Sequence, residues 1–415
     1  MIIKIIKNTS WSLANQIIER GVLIIGSIII ARHFDTTDFA FYSFFYLTAN
    51  MLSSYASIGL GVTSTKTFAS IDGEVKNPLI GTIFLLAFIS SIAFSILILL
   101  TFEKINLSTN NPELRWYLSI YVFIAVLVSI LKGAVFGIEK FKQLFFVSLS
   151  ASIFLSFLIL YSTWSGEIKY SIYAVILHAG IMAIGCLYLI IKSLGFEFII
   201  NSFFFSSSHI FKTISFAGPM FLTSIIVSTG IWLSGLALLN GENGEYNFSV
   251  FSIGLQIFSL GILIPTQISN ALVPSLVKMA NKNDILINDE KKTLIRKILA
   301  VIFIISLLSI FTGWAGSDIV SAIYGEKYKI TEMIVILFLL AAMWNSLSMI
   351  TCNVLLTHNK QWGWLRLNLL WIIVLMITIQ ITKDNLNFFG SVALITSYIV
   401  LFISSLISLI KARLI

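Results

Sequence analysis

Charged side chains are scarce in this sequence. Aspartate, glutamate, lysine and arginine make up 11% of its 415 residues, whereas a soluble globular chain carries about 25%. Hydrophobic residues reach 58%, the mean hydropathy is +0.96, and the apolar stretches run along the whole length. So few charges cannot cover a surface that faces water, and the apolar stretches are not confined to one segment. The composition therefore excludes a soluble domain with one membrane anchor. It predicts an integral membrane protein.

Cysteine is nearly absent, and there are only 4 histidines. Cys186 and Cys352 lie within apolar stretches, without a CxxC neighbour or a histidine at ligand spacing, which argues against a disulfide framework or a zinc site. We therefore predict no metal and no cofactor. The first apolar stretch continues to about residue 31 without a small-residue cleavage site, which favours a retained membrane span over a cleaved signal peptide.

Long apolar stretches are what the sequence has instead. A helix needs about 20 mostly apolar residues to cross a bilayer, and backbone groups in lipid must be satisfied internally. The stretches do not alternate as the strands of a membrane barrel would, so the sequence predicts an all-α integral membrane protein with about 12 transmembrane helices. The predicted spans are residues 11–32, 39–62, 78–101, 116–136, 143–163, 170–192, 213–239, 247–273, 296–316, 331–356, 362–381 and 388–410.

Lysine and arginine are distributed unevenly in this topology. With a cytoplasmic N-terminus, 19 of the 27 basic residues fall in cytoplasmic segments, 7 on the other side and one, Arg20, within a span. Cytoplasmic loops carry the excess of basic residues, so we predict that both termini are cytoplasmic. The net charge of +8 is then a topology signal and not a nucleic-acid surface, because it is dispersed over many loops.

The two halves of the predicted topology resemble each other. Residues 38–43 open the second span and residues 245–250 open the eighth, each after a long apolar helix and a short outer loop. Residues 133–140 end the fourth span, and residues 353–360 end the tenth in a comparable place. Six spans thus follow six spans in the same orientation, which predicts two six-helix lobes related by an axis along the membrane normal.

Short segments with a characteristic order and spacing occur along nearly the whole chain. They are residues 11–16, 30–32, 38–43, 58–61, 133–141, 216–219, 264–265, 272–274 and 323–328. Together they resemble the polysaccharide transporter family, the Wzx-type O-antigen flippases of the multidrug/oligosaccharidyl-lipid/polysaccharide (MOP) exporter superfamily, which has a MATE-like fold. Ala40 and Asn247 depart from the family pattern, in which glycine is usual at these positions.

The resemblance implies a V-shaped pair of lobes that alternates between inward and outward openings; we place them at residues 1–200 and 201–415. It implies a flippase that moves an undecaprenyl-diphosphate-linked oligosaccharide, such as an O-antigen repeat unit of lipopolysaccharide, to the periplasmic leaflet of a bacterial inner membrane. Proton or sodium coupling is the implied energy source. Membrane lipids and a polysaccharide polymerase machinery are the implied partners.

Three ionisable residues within spans are the clearest candidates for the site. Glu19 and Arg20 lie about eight or nine residues inside the first span, where an ionisable group costs about 2.5–3.5 kcal/mol to insert and is a functional candidate. We expect Arg20 to face the central cavity and bind the diphosphate, since a guanidinium suits phosphate oxygens. Glu19 is a candidate coupling site, or a member of a structural charge pair. His178, within the sixth span, is a candidate proton relay or a hydrogen-bonded residue between helices.

Further cationic and polar side chains extend the candidate substrate site. Lys66, Lys132 and Arg366 lie near the predicted cytoplasmic ends of spans, where they either gather the anionic head of the cargo or extend to lipid headgroups. Gln256 and Asn270 lie on the eighth span. They either line a face that binds sugars or join helices by hydrogen bonds.

Two other functions share this composition. A multidrug or cation antiporter of the same superfamily would have the same architecture, but a buried arginine argues against a cationic cargo. A polysaccharide polymerase or ligase usually needs a large periplasmic loop to hold the reacting diphosphate, and no outer loop here exceeds about 20 residues. We therefore favour the flippase and expect no enzymatic activity.

Overall fold

The computed structural model describes the chain as a series of helices. It describes residues 2–57, 59–69, 78–101, 113–195, 207–269, 285–328, 330–358, 360–382, 389–412 and 414. The chain divides into two compact units, Met1–Ser228 and Thr229–Ile415. The division lies inside a helix, whereas the lobe boundary predicted from the sequence, at residue 200, falls outside the described residues.

The described part of the first unit contains seven helices and the beginning of an eighth, which continues into the second unit. They are α1 (Ile2–His33), α2 (Thr36–Ala56), α3 (Leu60–Ala69), α4 (Pro78–Thr101), α5 (Leu114–Gly137), α6 (Phe141–Ser165), α7 (Lys169–Leu194) and α8 (Ser207–Leu239). α1 packs against α6, α6 against α7, and α5 against both α3 and α7. These contacts bring four long helices around the polar side chains described below.

The described part of the second unit contains the remaining helices. They are α9 (Gly244–Gly261), α10 (Leu263–Ser269), α11 (Ile285–Ala315), α12 (Ser317–Tyr324), α13 (Glu332–Thr357), α14 (Gln361–Ile381) and α15 (Phe389–Lys411), with a 3-10 turn at Glu326–Tyr328. α13 packs against α9, α11 and α15. It is the most buried of the candidate spans, with 67% of its most apolar window inside the protein.

Ten of the described helices are long and apolar enough to cross a membrane, and α9 with α10 makes an eleventh span if the bent pair counts as one. These correspond to eleven of the twelve stretches predicted from the sequence. The twelfth, residues 39–62, is occupied by α2 and α3. α2 carries Asn50, Ser53 and Ser54, which lower its hydropathy below that of the other spans.

The second and eighth predicted spans are both interrupted. α2 runs for 21 residues before the chain turns at Gly59, whose φ of 68° is accessible to a residue without a Cβ. α9 runs for 18 residues before a bend of 41° into α10. The similarity between the two halves therefore extends to an interruption after about five turns in each.

Two glycines let helices of the first unit approach closely. A Cβ at Gly133 on α5 would lie 2.3 Å from the carbonyl oxygen of Gly61 on α3. A Cβ at Gly185 on α7 would lie 2.3 Å from the Val147 side chain on α6. Only glycine permits such contacts without displacement of a helix or side chain, and they position α5 and α7 around the candidate site.

Candidate functional site

A partly buried ion pair joins α1 to α5 in the first unit. The Lys132 ammonium donates to Oε2 of Glu19. Oε1 of Glu19 accepts from Asn15 Nδ2 at 3.1 Å and from Ser148 Oγ on α6 at 2.9 Å. Ser148 Oγ also lies 2.6 Å from Asn15 Oδ1, so its single proton serves one of the two oxygens at a time. Both oxygens of the carboxylate therefore have partners, as a buried charge requires.

The local sequence explains how these groups meet. Asn15 and Glu19 are four residues apart on α1 and thus lie on the same helix face. Lys132 directly precedes Gly133, where α5 approaches α3, so its side chain starts from a tightly packed helix. Its ammonium also lies 5.9 Å from the centroid of the Phe136 ring, one turn further along α5.

A cavity of about 320 Å³ opens beside this ion pair. Its walls come from α1, α2, α5 and α7, and both Glu19 and Lys132 contribute to them. The polar side chains of the walls, besides the ion pair, are Tyr46, Asn50, Ser53, Ser54, Ser57, Tyr121, Ser129 and His178. A volume of this size falls within the range of small-molecule sites, so the cavity can take a ligand of several polar groups.

His178 lies on the wall that α7 contributes. Its Nε2 is buried and has no hydrogen-bond partner among the residues that the structure describes. Buried polar atoms in folded proteins almost always have a partner. Nε2 is covered in this structure, so a ligand or a water molecule would reach it only if its surroundings move. Both readings of His178 from the sequence, the proton relay and the hydrogen-bonded residue between helices, stay predictions.

One face of α2 supplies most of the neutral polar groups of the cavity. Tyr46, Asn50, Ser53 and Ser57 follow each other at helical spacing. Asn50 Nδ2 donates to the carbonyl oxygen of Tyr46 at 2.9 Å. The amide oxygen of Asn50 takes no part in that bond. This face was not predicted from the sequence, although a polar stripe at spacings of three and four in an otherwise apolar helix is the signal that could have identified it.

The other predicted cation of α1, Arg20, is half-buried. It follows Glu19, which lines the cavity, along α1. The Glu19 carboxylate is paired with Lys132. The expectation that Arg20 binds the cargo remains a prediction.

Two more of the predicted site residues, Gln256 and Arg366, belong to the second unit. In the second unit, Gln256 Oε1 accepts from the Tyr324 hydroxyl at 2.9 Å, and Arg366 is exposed on α14. Lys66 belongs to α3, but its side chain lies outside the described residues, as does the whole of Asn270. The structure thus brings together Glu19, Lys132 and His178 from the predicted set. Within the described residues, no three His, Cys, Asp or Glu side chains are placed to hold a metal ion.

Solved structures of transporters resemble the whole chain. An inward-facing multidrug resistance MATE family transporter of the MOP superfamily superposes with a TM-score of 0.76, at 14% identity and 97% coverage of both chains. An outward-facing one gives 0.70, at 14% identity, with 99% of this chain and 95% of that chain covered. A MOP superfamily transporter from Pyrococcus furiosus gives 0.71, also at 14% identity, covering 99% and 94%. These likenesses confirm the predicted fold class, two lobes of six transmembrane helices.

A family model also matches the sequence itself. No curated protein is a significant match, but the model described as polysaccharide biosynthesis protein matches residues 5–280, which include the ion pair and every wall of the cavity. The resemblance found in the short segments is thereby confirmed. The chain is a multi-pass membrane protein with a MATE-like fold, and it belongs to the polysaccharide biosynthesis protein family.

Proposed function

We propose that this protein is a flippase that moves an undecaprenyl-diphosphate-linked oligosaccharide from the cytoplasmic to the periplasmic leaflet by alternating access. The observation that carries the proposal is the cavity of the first unit, where an ammonium, an imidazole and a stripe of hydroxyl and amide groups share one space. Polar and charged groups within membrane helices are costly. A chain that only had to pack its helices would not gather them around a cavity.

The walls of the cavity suit the two polar parts of this cargo. Lys132 offers a cation to the diphosphate, since charge-assisted hydrogen bonds to phosphate oxygens are strong. Asn50, Ser53 and Ser57 offer amide and hydroxyl groups to sugar hydroxyls, and Tyr46 and Tyr121 add aromatic rings. The polyprenyl tail needs no site because it can stay in the lipid. The membership in a polysaccharide biosynthesis family agrees with a saccharide cargo.

Localisation and coupling follow from the same proposal. The protein would reside in a bacterial inner membrane with both termini in the cytoplasm, as the distribution of basic residues indicates. Glu19 and His178, the ionisable groups beside Lys132, would exchange protons or sodium with the two sides during the cycle. The polysaccharide polymerase machinery would receive the cargo on the periplasmic side.

Reconstitution in liposomes tests the proposal. Vesicles contain a lipid-linked oligosaccharide in both leaflets, and an impermeant glycosidase trims only the sugars of the outer leaflet. We expect the purified protein to make the inner pool accessible, and a proton or sodium gradient to change the rate. Protein-free vesicles and vesicles with Lys132→Met serve as controls, and both should keep the inner pool protected.

A cationic dye in the same vesicles tests the antiporter of similar fold. The MATE transporters that the chain resembles are described as multidrug resistance proteins, and Glu19 could attract a cation if Lys132 released it. Gradient-driven movement of the dye, with the inner oligosaccharide pool still protected, would show that the flippase proposal is wrong.

A further inference from the structure

The ion pair of α1 and α5 forms part of the cavity wall. The side chain of Lys132 is 22% exposed and that of Glu19 is 16% exposed, so a ligand in the cavity can reach both. An anionic ligand therefore meets a lysine that already has an anionic partner. An ammonium has three protons, so a diphosphate can still reach Lys132, but the Glu19 carboxylate already offsets part of the lysine's charge and repels the ligand.

The two oxygens of Glu19 are held in different ways. Oε2 is bound by Lys132, whereas Oε1 is bound by Asn15 at 3.1 Å and by Ser148 at 2.9 Å. Loss of the lysine would therefore remove one partner and leave the other oxygen anchored to α1 and α6. Lys132 can change its partner without freeing the carboxylate from its place.

His178 provides a second group for an incoming anion. It lies on the wall of the same cavity, and its buried Nε2 has no hydrogen-bond partner among the described residues. A ligand oxygen held by Lys132 could accept a hydrogen bond from this imidazole and thus satisfy an atom that is otherwise unsatisfied.

We propose that Lys132 and His178 form the diphosphate subsite of this cavity, and that the Glu19 carboxylate occupies Lys132 until a diphosphate displaces it. The inference rests on the proposed function, since it assigns one part of the cargo to one part of the site. A carboxylate and a phosphate offer the same kind of anionic oxygen to an ammonium. The diphosphate carries more negative charge than the carboxylate, so it can displace Glu19 from Lys132. This competition lowers the affinity of the protein for the diphosphate.

This arrangement predicts an unusual sign for one substitution. Glu19→Gln keeps the size and leaves a carbonyl oxygen that Asn15 and Ser148 can bind, but it removes the competing charge and its repulsion of the ligand. The variant should bind a diphosphate more tightly than the wild type. A residue that merely positions Lys132 would show the opposite, because the lysine would lose its orientation and the affinity would fall.

Calorimetry of the full-length protein in detergent tests the prediction with a fifteen-carbon polyprenyl diphosphate as the probe. We expect Glu19→Gln to bind about tenfold more tightly, a change of about 1.4 kcal/mol. Lys132→Gln should bind about tenfold or more weakly, and His178→Phe should weaken binding by a smaller factor. The polyprenyl alcohol without phosphate should not bind. Binding of inorganic pyrophosphate in preference to the lipid would overturn the assignment to a lipid-linked cargo.

The chain offers a matched control pair in the same unit. Lys169 also forms an ion pair, with Glu167, but these side chains are 45% and 49% exposed and lie outside the cavity. Glu167→Gln and Lys169→Gln should therefore leave the affinity unchanged. Thermal unfolding of every variant checks that it is folded.

The outcomes separate this inference from the proposed function. Unchanged or weaker diphosphate binding by folded Glu19→Gln would show that the carboxylate is not a displaceable occupant, whatever the flipping assay gives. Flipping of lipid-linked oligosaccharide by the wild type would then still support the flippase. Tighter binding by Glu19→Gln together with no flipping by the wild type would support the subsite and refute the flippase.

Discussion

The two units pack their first and fifth long helices in the same manner. In the first unit, a Cβ at Gly26 on α1 would lie 2.4 Å from Ile159 on α6. In the second, a Cβ at Gly230 on α8 would lie 2.7 Å from Trp371 on α14. A glycine thus admits a large side chain from the partner helix in each case. Similar apolar packing therefore occurs within each unit.

Their buried polar groups are of different kinds. In the second unit, the hydroxyls of Thr351 and Ser405 are 2.7 Å apart, and Asn353 Nδ2 donates to Ser269 Oγ at 2.6 Å. These pairs are neutral and join α13 to α15 and to α10. In the first unit, an ammonium and a carboxylate meet between α1 and α5.

This difference separates packing from function. Neutral hydrogen bonds suffice to join helices in a membrane, as the second unit shows. A buried ion pair adds little net stability, because desolvation of both charges offsets their attraction. The charges of the first unit are therefore not required by the architecture that the two units share, which is why we assign the cargo to the first.

The largest effect is expected from Lys132→Met. It should leave the Glu19 carboxylate without its cation, abolish flipping and lower the free energy of unfolding by about 3 kcal/mol. The double variant Glu19→Gln/Lys132→Met should regain most of that stability and still not flip. Thermal unfolding in detergent and the liposome assay measure the two properties separately. A double variant that flips normally would mean that the charges of the first unit serve packing alone.

Arg20→Ala should reduce export nearly as strongly, at unchanged protein abundance. The reason is the loss of a half-buried cation near the cavity wall. Arg20→Lys should restore part of the export, since the charge remains but the two-pronged hydrogen bonding of a guanidinium is lost. Export of a surface polysaccharide in cells, with immunoblots for abundance, provides the measurement. Normal export by Arg20→Ala would remove Arg20 from the site.

Smaller losses of stability are expected when a Cβ is added at a close helix contact, and each unit contains one such contact. Gly133→Ala should cost about 2 kcal/mol, because the new Cβ would lie 2.3 Å from a backbone oxygen of Gly61 and a helix would have to move. Gly230→Ala should cost about 1 kcal/mol, since the contact at 2.7 Å is with the side chain of Trp371. Thermal unfolding compares them, and the reverse order would contradict the closer approach inferred for α3 and α5.

The smallest effect is expected from Thr351→Val in the second unit. It removes one neutral hydroxyl pair with Ser405 at nearly constant volume, so the free energy of unfolding should fall by about 0.5–1 kcal/mol. Flipping should be unchanged. A strong loss of flipping, with the protein folded, would show that polar groups of the second unit also act in transport.

The site was only partly visible in the sequence. Glu19 and His178 could be singled out because an ionisable residue inside an apolar stretch is conspicuous. Lys132 was expected near the end of its span, as a lysine that gathers cargo or reaches the headgroups, and its pairing with Glu19 was not foreseen. Ser148 was missed, because a serine in a membrane helix gives no signal of its own.

The interruption of the second span was also missed. Residues 39–62 form a nearly continuous run in the sequence, and Gly59 is a single glycine within it. The turn depends on the φ of that residue in the folded chain, and many glycines in membrane helices stay helical.

The sequence by itself determined the all-helical membrane class and the order of most of the membrane helices, because the cost of exposing backbone and polar groups to lipid acts along each stretch separately. The same local rule marked the deep ionisable residues. Only the tertiary structure decided which of them meet, since Glu19 and Lys132 lie 113 residues apart and no local pattern couples such positions. Their encounter depends on how α1, α5 and α6 pack, and that packing is the sum of many side-chain contacts along these helices.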